Sequence, residues 1–363
     1  MMQVAEFRIE LTRYLAADGT PVAPLPDFAH DATEMRRLFG AMLRARLFDT
    51  KAVNLQRTGK LGTYPPCLGQ EATHVGVAAA MQPEDSLAIV YREIGTLFWR
   101  GVRMTEVLQY WGGDERGSDF AIPRGDFPWC VPIATQTLHA AGAAMAFKLC
   151  SERRCAVGYI GDGGTSEGSF YEAINLAGAR QLPVVFVIVN NGWAISVPLA
   201  QQTAAATLAQ KAIAAGIPGE QVDGNDVIAV RAVMQRACER ARNGDGPAVI
   251  EALSYRLSDH TTADDASRYR PQGELEAAWQ LEPLLRLRKY MTAAGMLTPE
   301  QEEQLRQEYS SEVDAAVQEY LNTPGPGTDA MFEHLFANPP PYLEAQKATA
   351  RRYAGRVKAH GSH

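Results

Sequence analysis

The residues best suited to chemistry are GDGGTSEG at 161–168 and the pair Asn190-Asn191, which ends the next apolar run, PVVFVIV at 183–189. The Asp162 carboxylate and the Asn191 carbonyl oxygen are hard ligands, suited to Mg2+ that also holds phosphate oxygens of its ligand. Gly161, Gly163 and Gly164 let a ligand approach the backbone, and the helix expected next offers its positive end to an anion. An aspartate in a phosphate-facing loop repels a diphosphate unless a cation lies between them, so the pattern asks for a Mg2+–diphosphate. GDGG alone is more often a surface turn. The apolar strand before it, the helix after it and the asparagines at the next strand end make it a site. The dinucleotide fingerprint GxGxxG fails because Ser166 stands sixth from Gly161, and asparagines stand where a ribose-binding acid belongs, which disfavours a nucleotide-dependent oxidoreductase.

Positioning these groups is the task of alternating strands and helices. The runs SLAIV (86–90), CAVGYI (155–160), PVVFVIV (183–189) and PAVIEAL (247–253) predict buried strands, with helical patterns between them at 135–150, 166–180, 205–215 and 226–242. This alternation predicts an α/β fold, a doubly wound and mostly parallel sheet flanked by helices. A right-handed crossover between neighbouring parallel strands brings Asp162 and Asn191 to one spot, at the carboxyl edge where such sheets bind ligands. Residues 1–30, with Pro21, Pro24 and Pro26 after a short β-like piece, predict an extended arm; 31–270 predict the α/β domain; 271–363 predict a helical extension rich in Glu, Gln and Arg. The first body helix starts after a cap at Asp31 or Thr33, with Met35, Leu38, Phe39, Met42 and Leu43 on one face.

Composition narrows the function classes. The 363 residues carry 35 basic and 42 acidic side chains, a net charge of −7, and no Lys/Arg block, which argues against nucleic-acid binding through phosphate neutralisation. Cys67, Cys130, Cys150, Cys155 and Cys238 are scattered without zinc spacing and read as reduced thiols. No secretory signal pattern opens the sequence, and no apolar run approaches the roughly 20 residues that span a bilayer. The expectation is a cytoplasmic protein with neither nucleic acid nor membrane as partner.

The stretch GDGGTSEGSFYEAINLAGARQLPVVFVIVNNGWAIS resembles the thiamine diphosphate motif, GDG followed by about 25 to 30 residues and NN. With LGTYPPCLGQEATHVGVAAA, AIVYREIG, PIATQTLHAAGAAMA, KAIAAGIPGEQVDGNDVIAV and YRLSDHTTADDASRYR, all in the family's order, residues 35–320 are similar to the alpha subunit of the decarboxylating component of 2-oxo acid dehydrogenase complexes. The resemblance implies the thiamine diphosphate-binding fold. It makes Asp162 and Asn191 side-chain ligands of Mg2+, with the backbone carbonyl of Trp193 completing the set. Tyr91 and Arg92 match the pair that binds the diphosphate, and Arg92 presents a fork of donors suited to phosphate oxygens. Ile133, with Val131 beside it, matches the apolar contact to the cofactor's bent middle. Cys130, Thr135 and Gln136 match a potassium site of some relatives, with Cys130 where a serine hydroxyl is expected. His260 matches the active-site loop histidine, whereas His74 and His139 read as packed.

Two departures stand out. Asp114 and Arg116 occupy a loop where relatives carry a histidine near the diphosphate, and Thr261 stands at a regulated serine position without itself implying phosphorylation. No glutamate here reads as the activator of the cofactor's aminopyrimidine: Glu71 belongs to a helix start of this chain's own fold, and in the resembled family that glutamate lies on a separate beta subunit. The resemblance therefore implies a cofactor shared across an α2β2 interface and acyl transfer to a lipoyl-bearing acyltransferase core; the Ala/Gly-rich TQTLHAAGAAMA permits close helix contact and suits that interface or buried core packing equally. QKAIAAGIPG and ARNGDGP make pyruvate the expected substrate; YRLSDHTTADDASRYR would suit a branched-chain 2-oxo acid as well, and an acetoin-cleaving relative is a third alternative. A noncatalytic subunit is the alternative from another class, weakened by the presence of Arg92, Asp162, Asn191 and His260 together.

Overall fold

A computed structural model describes residues 2–354; residue 1 of the expected arm and 355–363 of the expected C-terminal extension lie outside the described residues. The strands are β1 (Leu11–Thr12), β2 (Ser86–Ala88), β3 (Ala156–Gly161), β4 (Val184–Asn190), β5 (Trp193–Ala194), β6 (Val197–Pro198), β7 (Gly219–Asp223) and β8 (Ala248–Leu253). Six of them form one sheet in the order β1-β7-β8-β4-β3-β2, every pair parallel, while β5 and β6 make a small antiparallel ribbon. The helices that cover the sheet and its carboxyl edge are α1 (Ala32–Arg57), α2 (Glu71–Ala80), α3 (Ile94–Trp99), α4 (Met104–Trp111), α5 (Thr135–Leu149), α6 (Gly168–Arg180), α7 (Leu199–Gln202), α8 (Lys211–Ala214) and α9 (Val227–Arg242). Then follow α10 (Gln272–Trp279), α11 (Pro283–Ala293) and α12 (Pro299–Asn322).

The four apolar runs become β2, β3, β4 and β8, as their continuous hydrophobicity predicts for strands buried on both faces. Strand β4 shows why: Val184, Phe186 and Ile188 join an apolar cluster with Ala140 and Ala144 of α5 and Phe170, Ile174 and Ala177 of α6. Its opposite face meets α9, which packs on β4, β7 and β8 and against α2. A second cluster joins Met35, Leu38, Phe39 and Met42 of α1 to Val75 of α2, Ile228 of α9 and Leu284 and Leu287 of α11. Burial of each such side chain stabilises by roughly 1.5–3 kcal/mol, so α1 and α11 are fixed to the α/β body by their apolar faces. Asp31 is the cap of α1, accepting from Thr33 N at 2.8 Å and Glu34 N at 3.3 Å.

Two elements differ from the sequence expectation. The predicted helix at 205–215 forms only the single turn α8, because Thr207 and Gln210 exchange backbone–side-chain hydrogen bonds of 3.0 and 3.2 Å that start it late, and Gly216 adopts φ +69°. Strand β7, GEQVD, was not predicted: its polar residues lie toward a sheet edge and carry no apolar run. The arm supplies that edge, as β1 pairs with β7, and Asp226 accepts from Tyr14 N at 2.8 Å and Leu15 N at 2.7 Å while capping α9 through Ile228 N and Ala229 N.

Residues Met1–Val317 form one compact unit and the chain from Gln318 a second. Within the second are α13 (Ala330–Glu333) and α14 (Pro341–Ala354), joined by the Asp329–Arg351 ion pair. No helix among the described residues is long and apolar enough to cross a membrane.

Candidate active site

A cavity of about 310 Å3 opens at the carboxyl ends of β3 and β4. It is lined by Tyr91, Arg92, Ile133, Gly161, Asp162, Gly163, Gly164, Asn191, Trp193 and His260, so the topology gathers these sequence-expected residues in one place. Val131 is not among the lining residues and is about half exposed.

The register explains the convergence. Gly161 pairs with Val189, and Asp162 N donates to Val189 O at 3.3 Å, which sets Asp162 beside the end of β4. The turn is then closed on itself: Thr165 Oγ1 donates to Asp162 O at 2.7 Å, and the buried Lys211 Nζ donates to Thr165 O at 2.7 Å. Glycine is required here because a Cβ on Gly163 would lie 2.6 Å from Ala194 Cβ, and one on Gly164 2.6 Å from Ile160 Cγ1. Asp162 is 2% exposed, and burial pushes its carboxyl up to about 6. Its Oδ2 has no partner, and neither does the nearby Gln202 Nε2.

The two asparagines separate into distinct roles. Asn190 turns into the sheet and donates to Glu251 Oε1 at 2.8 Å, whereas Asn191 faces the cavity with Oδ1 accepting from Trp193 N at 3.2 Å. Trp193 O already accepts from Arg256 Nη1 at 3.3 Å. A carbonyl has a second lone pair, so the same oxygen can still face a cation.

His260 sits between two guanidinium groups. Its Nδ1 lies 3.2 Å from Arg92 Nη2 and 3.4 Å from Arg256 Nη1, and Arg92 Nη2 also donates to His260 O at 3.0 Å. Burial, then the charges of Arg92 and Arg256, hold the imidazole down at about 4. Facing two donors, Nδ1 must be the acceptor, so the neutral ring carries its hydrogen on Nε2. The loop is strapped in place: Asp264 Oδ2 accepts from His260 N at 2.9 Å and from the Tyr269 hydroxyl, which in turn accepts from Arg256 Nη2 at 2.8 Å.

Arg256 was missed at the sequence level, although it is fully buried and central. A signal was present: Tyr255-Arg256 follows β8 just as Tyr91-Arg92 follows β2, giving two Tyr-Arg pairs past strand ends of one sheet. Gln70, Gln136 and Gln202 also line the cavity. Gln136 Nε2 donates to Tyr159 O at 2.8 Å while its Oε1 is buried without a partner, and the Cys130 thiol donates to Pro132 O at 3.6 Å.

Other candidates lie elsewhere. Asp114 and Arg116 are bound to each other, at 2.9 Å from Nε to Oδ1, and do not line the cavity. Glu71 is buried against Arg46. His74 is fully buried, its ring held down to about 3 by burial and by Arg92, while His139 is exposed and stacks on Phe127 at 5.6 Å. Among the described residues no cluster of three or more His, Cys, Asp or Glu is arranged to hold a metal, so a cation here would rely on the mixed set of carboxylate, carboxamide and carbonyl oxygens.

The family model for the dehydrogenase E1 component matches residues 40–328. The chain belongs to the dehydrogenase E1 component family. It is thus a thiamine diphosphate-dependent 2-oxo acid dehydrogenase chain of the alpha-subunit type. Among its relatives, the 3-methyl-2-oxobutanoate dehydrogenase subunit alpha of Mycobacterium tuberculosis is 43% identical over 96% of this chain and 95% of its own length. The pyruvate dehydrogenase E1 component subunit alpha is 39% identical in Acholeplasma laidlawii, over 89% of this chain and 94% of the relative. In Staphylococcus epidermidis it is 37% identical, over 95% and 94%. The E1 cofactor fits the residues present: the Arg92 guanidinium lining the cavity suits a diphosphate, and the unpartnered Asp162 Oδ2 suits a divalent cation beside it.

The ring of His260 has a folded pKa below its ordinary 6.5, so its contribution to stability is complete above pH 6.5 and is lost as the pH falls toward 4. Histidine Cε1 NMR should show the ligand-free ring neutral from pH 8 to 5.5. Adding Mg2+ and thiamine diphosphate should move its titration upward, since the anion offsets the guanidinium charges. A His260 that titrates near 6.5 without ligand would contradict this geometry.

Proposed function

We propose that this chain is the alpha subunit of a 2-oxo acid dehydrogenase, working in an α2β2 assembly that decarboxylates a 2-oxo acid and passes the acyl group to a lipoyl-bearing acyltransferase core in the cytoplasm. The observation that carries the reading is the convergence of Asp162, Asn191, Arg92 and His260 on one cavity, with Arg256 buried behind His260, in a chain of the E1 family. Thiamine diphosphate, when bound, supplies the carbanion that attacks the oxo carbon and the ring that accepts the electrons left by CO2.

The residues of this chain have separable tasks. Asp162 Oδ2, Asn191 Oδ1 and Trp193 O would hold Mg2+; Tyr91 and Arg92 would hold the diphosphate, with Gly161, Gly163 and Gly164 allowing its approach and Arg256 adding its charge from behind His260; Ile133 would support the cofactor's middle, with Val131 adjacent in sequence. Once a bound anion offsets the guanidinium charges and the His260 ring takes up a proton, the imidazolium would be suited to donate that proton from Nε2 to the sulfur released when the lipoyl disulfide opens, returning to the neutral ring. A potassium ion is proposed near Cys130, Thr135 and Gln136, supported by the unpartnered Gln136 Oε1, although a thiol is a poor ligand for it.

As substrate we put forward a branched-chain 2-oxo acid, supported by the 43% identical relative named for 3-methyl-2-oxobutanoate. Pyruvate, favoured by the QKAIAAGIPG and ARNGDGP segments, is the second reading, supported by relatives at 37% and 39%. The test is co-assembly with the beta partner and dye-coupled decarboxylation of 3-methyl-2-oxobutanoate, pyruvate and acetoin. The expected outcome is a higher kcat/KM for 3-methyl-2-oxobutanoate; preference for pyruvate would reverse the order, and turnover of acetoin alone would defeat both.

His260→Ala should retain dye-coupled decarboxylation and lose NADH formation in the complete complex; intact NADH formation would remove its role in acyl transfer. Asp162→Asn should weaken Mg2+-dependent cofactor binding by roughly 100-fold, the scale of about 3 kcal/mol. In the parent chain, Mg2+ affinity should fall about tenfold per pH unit below pH 6, because the cation must displace the proton that burial favours on Asp162. Calorimetric titration at pH 5, 6 and 7 measures both, and pH-independent binding would remove Asp162 from the metal site.

A further inference from the structure

The turn Cys67–Gln70 leads into α2 at the wall of this cavity. It is held from several sides: Cys67 N donates to Asp49 Oδ1 at 2.8 Å, Gln70 N to Cys67 O at 3.0 Å, and Leu257 N to Leu68 O at 3.2 Å. Gly69 has φ +93°, and a Cβ there would lie 2.4 Å from Tyr255 O, so the turn is pressed against the segment that carries Arg256. Gln70 is 1% exposed and lines the cavity beside Arg92 and His260. Its Nε2 has no hydrogen-bond partner. The neighbouring Glu71 carboxylate, by contrast, accepts from Gly69 N at 3.0 Å, pairs with Arg46 and is not among the lining residues.

A buried amide donor without a partner destabilises the ligand-free fold. Held on a rigid turn in a cavity that the Arg92 guanidinium lines, it is a preorganised donor toward negative charge. We infer that Gln70 binds an oxyanion in this cavity through Nε2. Resting on the function proposed above, two sources carry that chemistry: the carboxylate of the 2-oxo acid, and the diphosphate of the cofactor. Tyr91 and Arg92 offer fewer donors than the oxygens of either ligand can accept from, so a further donor has a place in both cases.

Gln70→Met removes the donor at similar length, and Gln70→Glu replaces it with an acceptor of the same size. Both are examined in the assembly with the beta partner, through the dissociation constant of Mg2+–thiamine diphosphate by calorimetry, the KM of the 2-oxo acid at saturating cofactor, and the melting temperature without ligand. Because Nε2 bonds nothing in the protein, Gln70→Met should melt at the same temperature or higher. One binding constant should weaken at least about tenfold, the scale of a hydrogen bond to a charged group, and further in Gln70→Glu. Weaker cofactor binding with unchanged KM identifies the diphosphate; raised KM with unchanged cofactor binding identifies the carboxylate. Both constants within twofold of the parent, with or without a lower melting temperature, would overturn the inference. A parent assembly that binds no thiamine diphosphate would instead defeat the underlying functional reading, and inorganic diphosphate and pyruvate, titrated directly, then decide the role of Gln70.

Discussion

Two buried guanidinium groups, neither held in a direct salt bridge among the described residues, set the terms for this site. Arg92 and Arg256 are both buried, both reach His260 Nδ1, and neither forms a salt bridge among the described residues; their partners are carbonyl oxygens, a tyrosine hydroxyl and the imidazole. At roughly 6 Å and an effective dielectric near 20, two such charges repel by about 3 kcal/mol. The fold bears that repulsion, and an anion between the two groups relieves it. Burial, and then the same two charges, depress the basicity of His260.

The rest of the molecule can be understood as the support for this arrangement. Parallel register sets Asp162 against the end of β4, and Lys211 and Thr165 close its turn. The Arg256–His260 loop is tied to the body by Arg270, which donates to Arg256 O at 2.6 Å and Ser258 O at 3.0 Å, and by Thr262, whose N donates to Tyr64 O at 2.9 Å. Tyr64 is in turn anchored to Asp49, whose carboxyl is pushed up to about 6 by burial. The charged groups of the cavity are therefore mounted on backbone that the core immobilises, so little reorganisation is needed when a ligand's charge arrives.

The parts of this design legible in the sequence were those with a periodic or local signature. Apolar runs located β3, β4 and β8, and the GDGG turn with its paired asparagines located the cation-binding candidates, because a crossover of parallel strands leaves one geometric outcome. What escaped was decided by long-range contact. Nothing local distinguishes Asn190 from Asn191 until Glu251, on the neighbouring strand β8, claims the first. Arg256 and Gln70 read as ordinary polar residues of a loop and a helix start until the sheet folds both against Arg92 and His260. Strand β7 is polar, and it becomes a strand because β8 and the arm flank it.

The arm has a consequence at the sheet's margins. β1 contributes only two residues at one edge and β2 only three at the other, so the long apolar strands β4 and β8 are paired on both sides and β2 covers Ala156–Gly158 of β3. A sheet this hydrophobic with an exposed long edge would be a template for adding foreign strands and for aggregation. Closing both margins with such short strands removes that template. Association with other chains is thereby directed to the side chains of helices and loops, which can discriminate among partners, and away from indiscriminate backbone pairing.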